Sequence, residues 1–171
     1  MRNPADLERH SPLELALVHP QIAPNTGNVA RLCVATGTRL HLVRPMGFVL
    51  SDRLLRRSAM DYWDRLCLVV HDDLAAFRAS MAGRRLWMTD SCGQRPLWDT
   101  PFEAGDVLVL GSESRGLPPG WIAEVGGEQV IRVPQVPGER CLNLSSAAAV
   151  VLYEALRQLA VCPRGGATTG R

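Results

Sequence analysis

The feature that most constrains this chain is a repeated alternation of short apolar runs with segments of helical periodicity. Residues 13–18 (LELALV) read as a strand, and residues 29–36 as the helix that follows, closed by Gly37. Residues 39–43 (RLHLV) alternate with period two and form a second strand; residues 66–70 form a third. An amphipathic helix is expected from Asp72, as N-cap, to about Met81. Residues 86–88, 107–110 and 130–133 supply further strands, and a helix from Leu144 to about Ala160 ends the pattern. Such alternation predicts an α/β fold: a mostly parallel sheet flanked by helices. At 171 residues one domain is expected, with its core at about 13–160 and frayed termini at 1–12 and 163–171.

Composition narrows the chemistry. All 19 basic residues are arginines, which excludes a Walker lysine, a pyridoxal Schiff base and lysine nucleophiles. A GC-rich coding bias is the plain explanation for the absence of lysine. Five widely spaced cysteines without a C-x-x-C pair argue against a disulfide framework or a zinc site. With a polar N-terminus and no apolar stretch long enough to span a bilayer, the expected location is the reducing cytoplasm, without membrane association. His10, His19, His41 and His71 have no ligand spacing, and no metal is expected.

Three polar loops interrupt the apolar pattern. Residues 24–28 (PNTGN), followed by Arg31, read as a loop whose Asn and Thr cap the helix behind it. Residues 111–116 (GSESRG) directly follow a strand, but Leu117 stands where a phosphate loop requires lysine. What remains is a tight turn presenting Glu113 and Arg115, with Pro118 and Pro119 stiffening its exit. Residues 140–145 (RCLNLS) precede the last helix, with Asn143 as its N-cap. In that helix Leu144, Ala148, Val151, Leu152, Ala155 and Leu159 share one face. Ser145, Ser146 and three alanines keep its start slim, which suits packing on its own sheet and also a subunit contact.

Together the three loops, N-T-G-N-x-x-R, G-x-E-x-x-G-L and L-N-L-S before a small-residue helix, resemble the SpoU-type branch of the SPOUT RNA methyltransferases. The stretches at 45–48 (PMGF), 54–57 (LLRR), 61–62 (DY) and 132–137 (RVPQVP) look like the subfamily that methylates the ribose of the wobble pyrimidine, cytidine or uridine 34, of tRNA. The resemblance implies a sheet whose C-terminal part is threaded into a deep trefoil knot, and a homodimer. It implies S-adenosyl-L-methionine as methyl donor and S-adenosyl-L-homocysteine as product. Carried over by position, the cofactor contacts are Thr89, Gly111, Glu113, Gly116, Val133, Cys141 and Leu142. Catalytic positions are Arg31, Glu113, Asn143 and Ser145, with Arg31 at the ribose hydroxyl and the neighbouring phosphate. Cys141 stands where serine is usual, and Ser112 where proline is common.

The RNA partner is expected to be a tRNA anticodon stem-loop, of leucine isoacceptors, met by Asn25, Asn28, Arg53, Arg56 and Arg57. The three arginines share a face if their segment is helical, with Tyr62 and Trp63 nearby as stacking platforms. A solvated arginine face is the plainer reading of the same spacing. Trp87 and Trp98 suit a core or an interface better than a site. Three alternatives stay open: the same chemistry at another tRNA or rRNA ribose, a noncatalytic RNA-binding or assembly protein of this fold, and a Rossmann-type nucleotide module. The last lacks its glycine fingerprint.

Overall fold

The computed structural model describes residues 11–50 and 60–159. Among the described residues seven parallel strands form one sheet: β1 (Glu14–Val18), β2 (Arg39–Val43), β3 (Leu68–His71), β4 (Leu86–Thr89), β5 (Arg95–Pro96), β6 (Val107–Leu110) and β7 (Val130–Arg132). Their spatial order is β3-β2-β1-β6-β4-β7-β5. The helices are α1 (Ala23–Thr36), α2 (Leu74–Ser80), α3 (Pro119–Val125) and α4 (Leu144–Gln158). The first three strands step outward in one direction. The chain then returns to build the other half, and β6 inserts between β1 and β4. This reversal of strand order is where parallel α/β sheets open a crevice at the carboxyl ends of their strands.

The period-two alternation of the strands splits the core into two layers. Leu15, Leu17, Leu40, Leu42, Leu108, Leu110 and Ile131 face α1 and α4, against Val29, Cys33, Ala148, Val151, Leu152 and Ala155. Ala16, Val18, Val43, Met88, Val107, Val109 and Val130 face the opposite way, against Phe77 of α2 and Trp121 of α3. The Phe77 and Trp121 rings meet edge to face at 6.1 Å. Because β6 (VLVL) is buried on both faces, it reads as a continuous apolar run. On α4 the buried face also carries Leu156, while Leu159, the C-cap, is partly buried and packs against the same core.

Several boundaries differ from expectation. Asp73, not Asp72, caps α2: its side chain accepts the Ala76 N–H at 2.7 Å, while Asp72 accepts from Arg44 at 2.7 Å. The third strand runs to His71, two residues later at its start than predicted. The two-residue β5 and the helix α3 carry too little periodicity to be read from sequence; Pro119 opens α3, where its missing N–H costs nothing. Gly37 does close α1, in the left-handed region at φ 69°. Trp87 is buried, its Nε1 donating to Asp106 at 2.8 Å, whereas Trp98 is exposed.

His41 and His71 are more than ordinary surface histidines. His41 Nε2 lies 2.7 Å from the Glu14 carboxylate and its Nδ1 lies 2.9 Å from His71 Nε2. A carboxylate only accepts, so His41 donates from Nε2 and its Nδ1 must receive the His71 Nε2 hydrogen when both rings are neutral. Arg84 completes the cluster at 2.6 Å from Glu14. Burial would raise the Glu14 carboxyl, but the hydrogen bonds from His41 and Arg84 outweigh it and hold the group below its ordinary range. Burial pushes both histidines below their usual value, only partly offset at His41 by Glu14.

Candidate active site

The largest surprise lies at the first loop. Residues 24–28 are not a loop before a helix but the opening turns of α1, which starts at Ala23. Pro24 favours this position, and no side chain caps the helix locally at Ile22. The anion at this positive helix end comes instead from the turn after β6. Glu113 Oε2 accepts the Gln21 N–H at 2.8 Å; Oε1 accepts the Ile22 N–H at 3.2 Å and the Asn25 amide at 3.0 Å. A carboxylate some ninety positions away therefore does the capping, favoured by the helix dipole. Gln21 returns the contact by accepting the Ser114 N–H at 3.1 Å.

From Asn25 the network continues to the third loop. Asn143 Nδ2 donates to Asn25 Oδ1 at 2.9 Å, and Asn143 Oδ1 accepts both the N–H and the hydroxyl of Ser145 at 2.8 and 2.7 Å. Asn143 is thus the N-cap of α4, as the sequence suggests, and also a tie between loops. The chain Glu113–Asn25–Asn143–Ser145 fastens the three polar segments to one another.

The turn 111–116 is closed by reciprocal backbone bonds, Ser112 N–H to Gly116 O at 3.0 Å and Gly116 N–H to Ser112 O at 2.9 Å. A Cβ on Gly111 would lie 2.0 Å from the Gly116 carbonyl carbon, so the two ends of the turn touch backbone to backbone. Gly116 adopts φ +65°, where glycine is preferred.

These segments wall a pocket of about 530 Å³ at the carboxyl edge of the sheet. It is lined by Thr89 to Ser91 after β4, residues 110–116 after β6, Val133 and Gln135 after β7, residues 141–144, and Ile22, Asn25 and Ala147 from the two helices. Of the residues singled out from sequence, Asn25, Thr89, Gly111, Glu113, Gly116, Val133, Cys141, Leu142 and Asn143 meet here. Ser145 stands behind the wall, bonded to Asn143. Asn28 and Arg31 are exposed on α1 and do not line the pocket. Arg31 lies six residues beyond Asn25, a rotation of about 240° around the helix, so the earlier start of α1 turns it from the wall that Asn25 faces. Arg53, Arg56 and Arg57 lie outside the described residues. Sequence reasoning reached Asp90 and Ser91 only as unnamed neighbours of Thr89, and Gln135 only as part of the 132–137 stretch; it missed Gln21, whose only signal was its place between strand and helix.

One buried polar atom in the wall has no partner: the Thr89 hydroxyl, among the described residues. Buried polar groups are otherwise nearly always satisfied, so a ligand carrying polar atoms fits this pocket. Its Leu110, Val133, Leu142 and Leu144 surfaces suit an apolar ring face. Among the described residues no group of three or more His, Cys, Asp and Glu side chains can hold a metal ion, and no helix is long and apolar enough to cross a membrane.

A parallel sheet with its pocket at the switch of strand order, built from glycine turns and a slim helix start, defines a ligand-binding α/β protein. The chain belongs to the SpoU rRNA Methylase family, whose model matches residues 12–153. It is 46% identical over 145 residues to a tRNA (cytidine(34)-2'-O)-methyltransferase of Methylovorus glucosotrophus, covering 85% of this chain and 94% of that one. With the Escherichia coli K12 enzyme of the same name it shares 43% over 147 residues, covering 86% and 94%. A solved structure described as giving insight into 2-OH methylation of C/U34 on tRNA superposes with a TM-score of 0.83 at 41% identity, covering 88% of this chain and 99% of that one.

Proposed function

We propose that the protein transfers a methyl group from S-adenosyl-L-methionine to the ribose 2′-hydroxyl of the wobble pyrimidine, cytidine or uridine 34, of tRNA. The observation that supports this reading is that the site, from Asn25 to Ser145, lies within residues 12–153 matched by the family, in a chain 46% identical to a position-34 enzyme over 85% of its length. Leucine isoacceptors are the expected substrates, met at the anticodon stem-loop in the cytoplasm.

When bound, the cofactor supplies a methyl group on a positively charged sulfonium. This chain's task is placement: a nucleophilic oxygen must be brought in line, and its developing negative charge stabilised. The turn 111–116, Thr89, Val133 and residues 141–142 hold the donor, and the Glu113–Asn25–Asn143–Ser145 network fixes the walls against one another. Arg31 stabilises the hydroxyl oxygen and the adjacent phosphate as a permanent cation, since a guanidinium hardly deprotonates. The family resemblance implies a homodimer, and in that reading a second copy brings Arg31, which does not line the pocket of its own chain, to the site. Arg53, Arg56 and Arg57 contribute phosphate contacts.

The test is incubation with S-adenosyl-L-methionine and undermodified total tRNA, with the methylated nucleotide mapped by mass spectrometry. Methylation of ribose 34 is expected; incorporation elsewhere, or none, refutes the assignment. Mixing Arg31→Ala chains with Glu113→Gln chains should restore part of the activity if the site is shared between copies. Binding of tRNA should weaken steeply with salt.

A further inference from the structure

Three charged side chains line the pocket: Asp90, Glu113 and Arg115. Glu113 is occupied by the start of α1. Arg115 is exposed at the open side. Asp90 differs from both. It follows β4 directly, its own N–H pinned to the Ile131 carbonyl at 3.0 Å, so its backbone is an extension of the sheet ladder.

The Asp90 carboxylate makes no ion pair among the described residues. Its Oδ1 accepts the Cys92 N–H at 3.1 Å and faces the Ser91 hydroxyl at 3.5 Å. Oδ2 accepts the Leu117 N–H at a long 3.4 Å, and the Cys92 thiol also hydrogen-bonds the carboxylate. A Cβ on Gly116 would lie 2.7 Å from Oδ2, so the carboxylate lies flush against the glycine turn that forms the pocket wall. A half-buried carboxylate retains lone pairs that water or a ligand must satisfy, and as an acceptor only it calls for a donor. The neighbouring Thr89, which also lines the pocket, has a buried hydroxyl without a hydrogen-bond partner among the described residues.

We propose that Asp90 is a specificity-determining residue that accepts hydrogen bonds from the 2′,3′-diol of the cofactor's own ribose, holding it against Gly116. The inference rests on the cofactor reading above. A cis-diol offers two neutral donors that converge on one carboxylate, and being uncharged it enters a half-buried site with a smaller desolvation cost than an ammonium. The amino-acid tail of the cofactor is zwitterionic and suits the open side, where Arg115 can meet its carboxylate.

The experiment measures calorimetric binding of S-adenosylhomocysteine, 5′-methylthioadenosine and a 2′,3′-dideoxyribose analogue of S-adenosylhomocysteine to the wild-type chain and to Asp90→Asn. Asparagine keeps an acceptor for the Cys92 N–H. The variant should bind S-adenosylhomocysteine and 5′-methylthioadenosine more weakly by the same factor, roughly 10- to 100-fold. Wild type should lose a similar factor with the dideoxy analogue, and the variant should lose little more. Unchanged affinity in the variant overturns the proposal. So does weakening toward S-adenosylhomocysteine alone, which would place Asp90 at the tail. The wild-type comparison needs no substitution: equal affinity for the dideoxy analogue also overturns it. A wild-type chain that binds no S-adenosylhomocysteine would instead bring down the cofactor reading, and this inference with it.

Discussion

Replacing Glu113 with glutamine tests whether this residue works as the distant cap of α1. The carboxylate accepts from Gln21 N, Ile22 N and Asn25 Nδ2 at 2.8, 3.2 and 3.0 Å. Glutamine supplies one oxygen only. In its better orientation that oxygen keeps Ile22 and Asn25, and its NH2 then faces the Gln21 N–H, donor against donor. The shortest of the three bonds is lost, and the charge at the helix end with it. A hydrogen bond to a charged acceptor contributes about 1.5–3 kcal/mol, and the helix-end charge about 0.3–1 kcal/mol. Glu113 is partly exposed, so the low end applies, and the loss is about 2 kcal/mol. For a chain of this size that lowers the unfolding midpoint by about 4–8 °C. Cofactor affinity should fall too, because the same residue joins the glycine turn to α1. A double-mutant cycle with Asn25→Ala should be non-additive by about 1 kcal/mol, since both changes break one network. Wild-type melting of Glu113→Gln, or strict additivity in the cycle, would refute the capping role.

Other consequences follow from the same geometry. Gly111→Ala places a methyl group 2.0 Å from the Gly116 backbone, where no side chain can move aside; loss of cofactor binding and a destabilisation of several kcal/mol are expected, read by calorimetry and thermal melting. Asp106 is buried and accepts from Arg85 Nε at 2.7 Å, Trp87 Nε1 at 2.8 Å and Glu103 N at 2.8 Å. Asp106→Ala strips the partners from all three donors and should cost about 3–5 kcal/mol in denaturant melts, with little direct effect on the pocket. Both His41 and His71 are held below the ordinary histidine value of 6.5, so the unfolded chain binds protons that the folded chain refuses. Stability is therefore full above about pH 6.5 and declines as the pH falls through the histidine range. Glu14, held below its ordinary 4.5, adds a further loss only in more acid solution. Denaturant midpoints that stay flat from about pH 7.5 to about pH 5 would contradict the linked Glu14–His41–His71 cluster.

Most strands were legible because their signal is local. In β1, β2 and β6 the period-two or fully apolar pattern records which faces are buried, and neither depends on distant partners. Gly37 and Asn143 were legible as caps for the same reason: each terminates or starts a helix through its own backbone or side chain. The start of α1 was not. Residues 22–28 have no local cap, and Asn, Thr and Gly are poor helix formers, so local propensity puts the boundary at Val29. The structure starts the helix at Ala23, where Glu113, remote in sequence, accepts the N–H groups of Gln21 and Ile22 just before it and the Asn25 amide in its first turn.

The alternation of apolar runs thus determined by itself the α/β class, the parallel sheet and the identity of most core positions, because burial periodicity is written residue by residue. It also marked three polar loops as the place of the chemistry. Only the tertiary structure decided which of their side chains share a wall. Insertion of β6 between β1 and β4 brings residues 89–91, 111–116 and 133–143 to one edge of the sheet and makes Asp90 part of the site. It also turns Asn25 inward and Arg31 out, since a helix that starts six residues earlier makes one rigid turn-by-turn scaffold of what had read as a loop. Contacts between residues ninety positions apart leave no periodic trace in a single sequence; they exist only once the strand order is set.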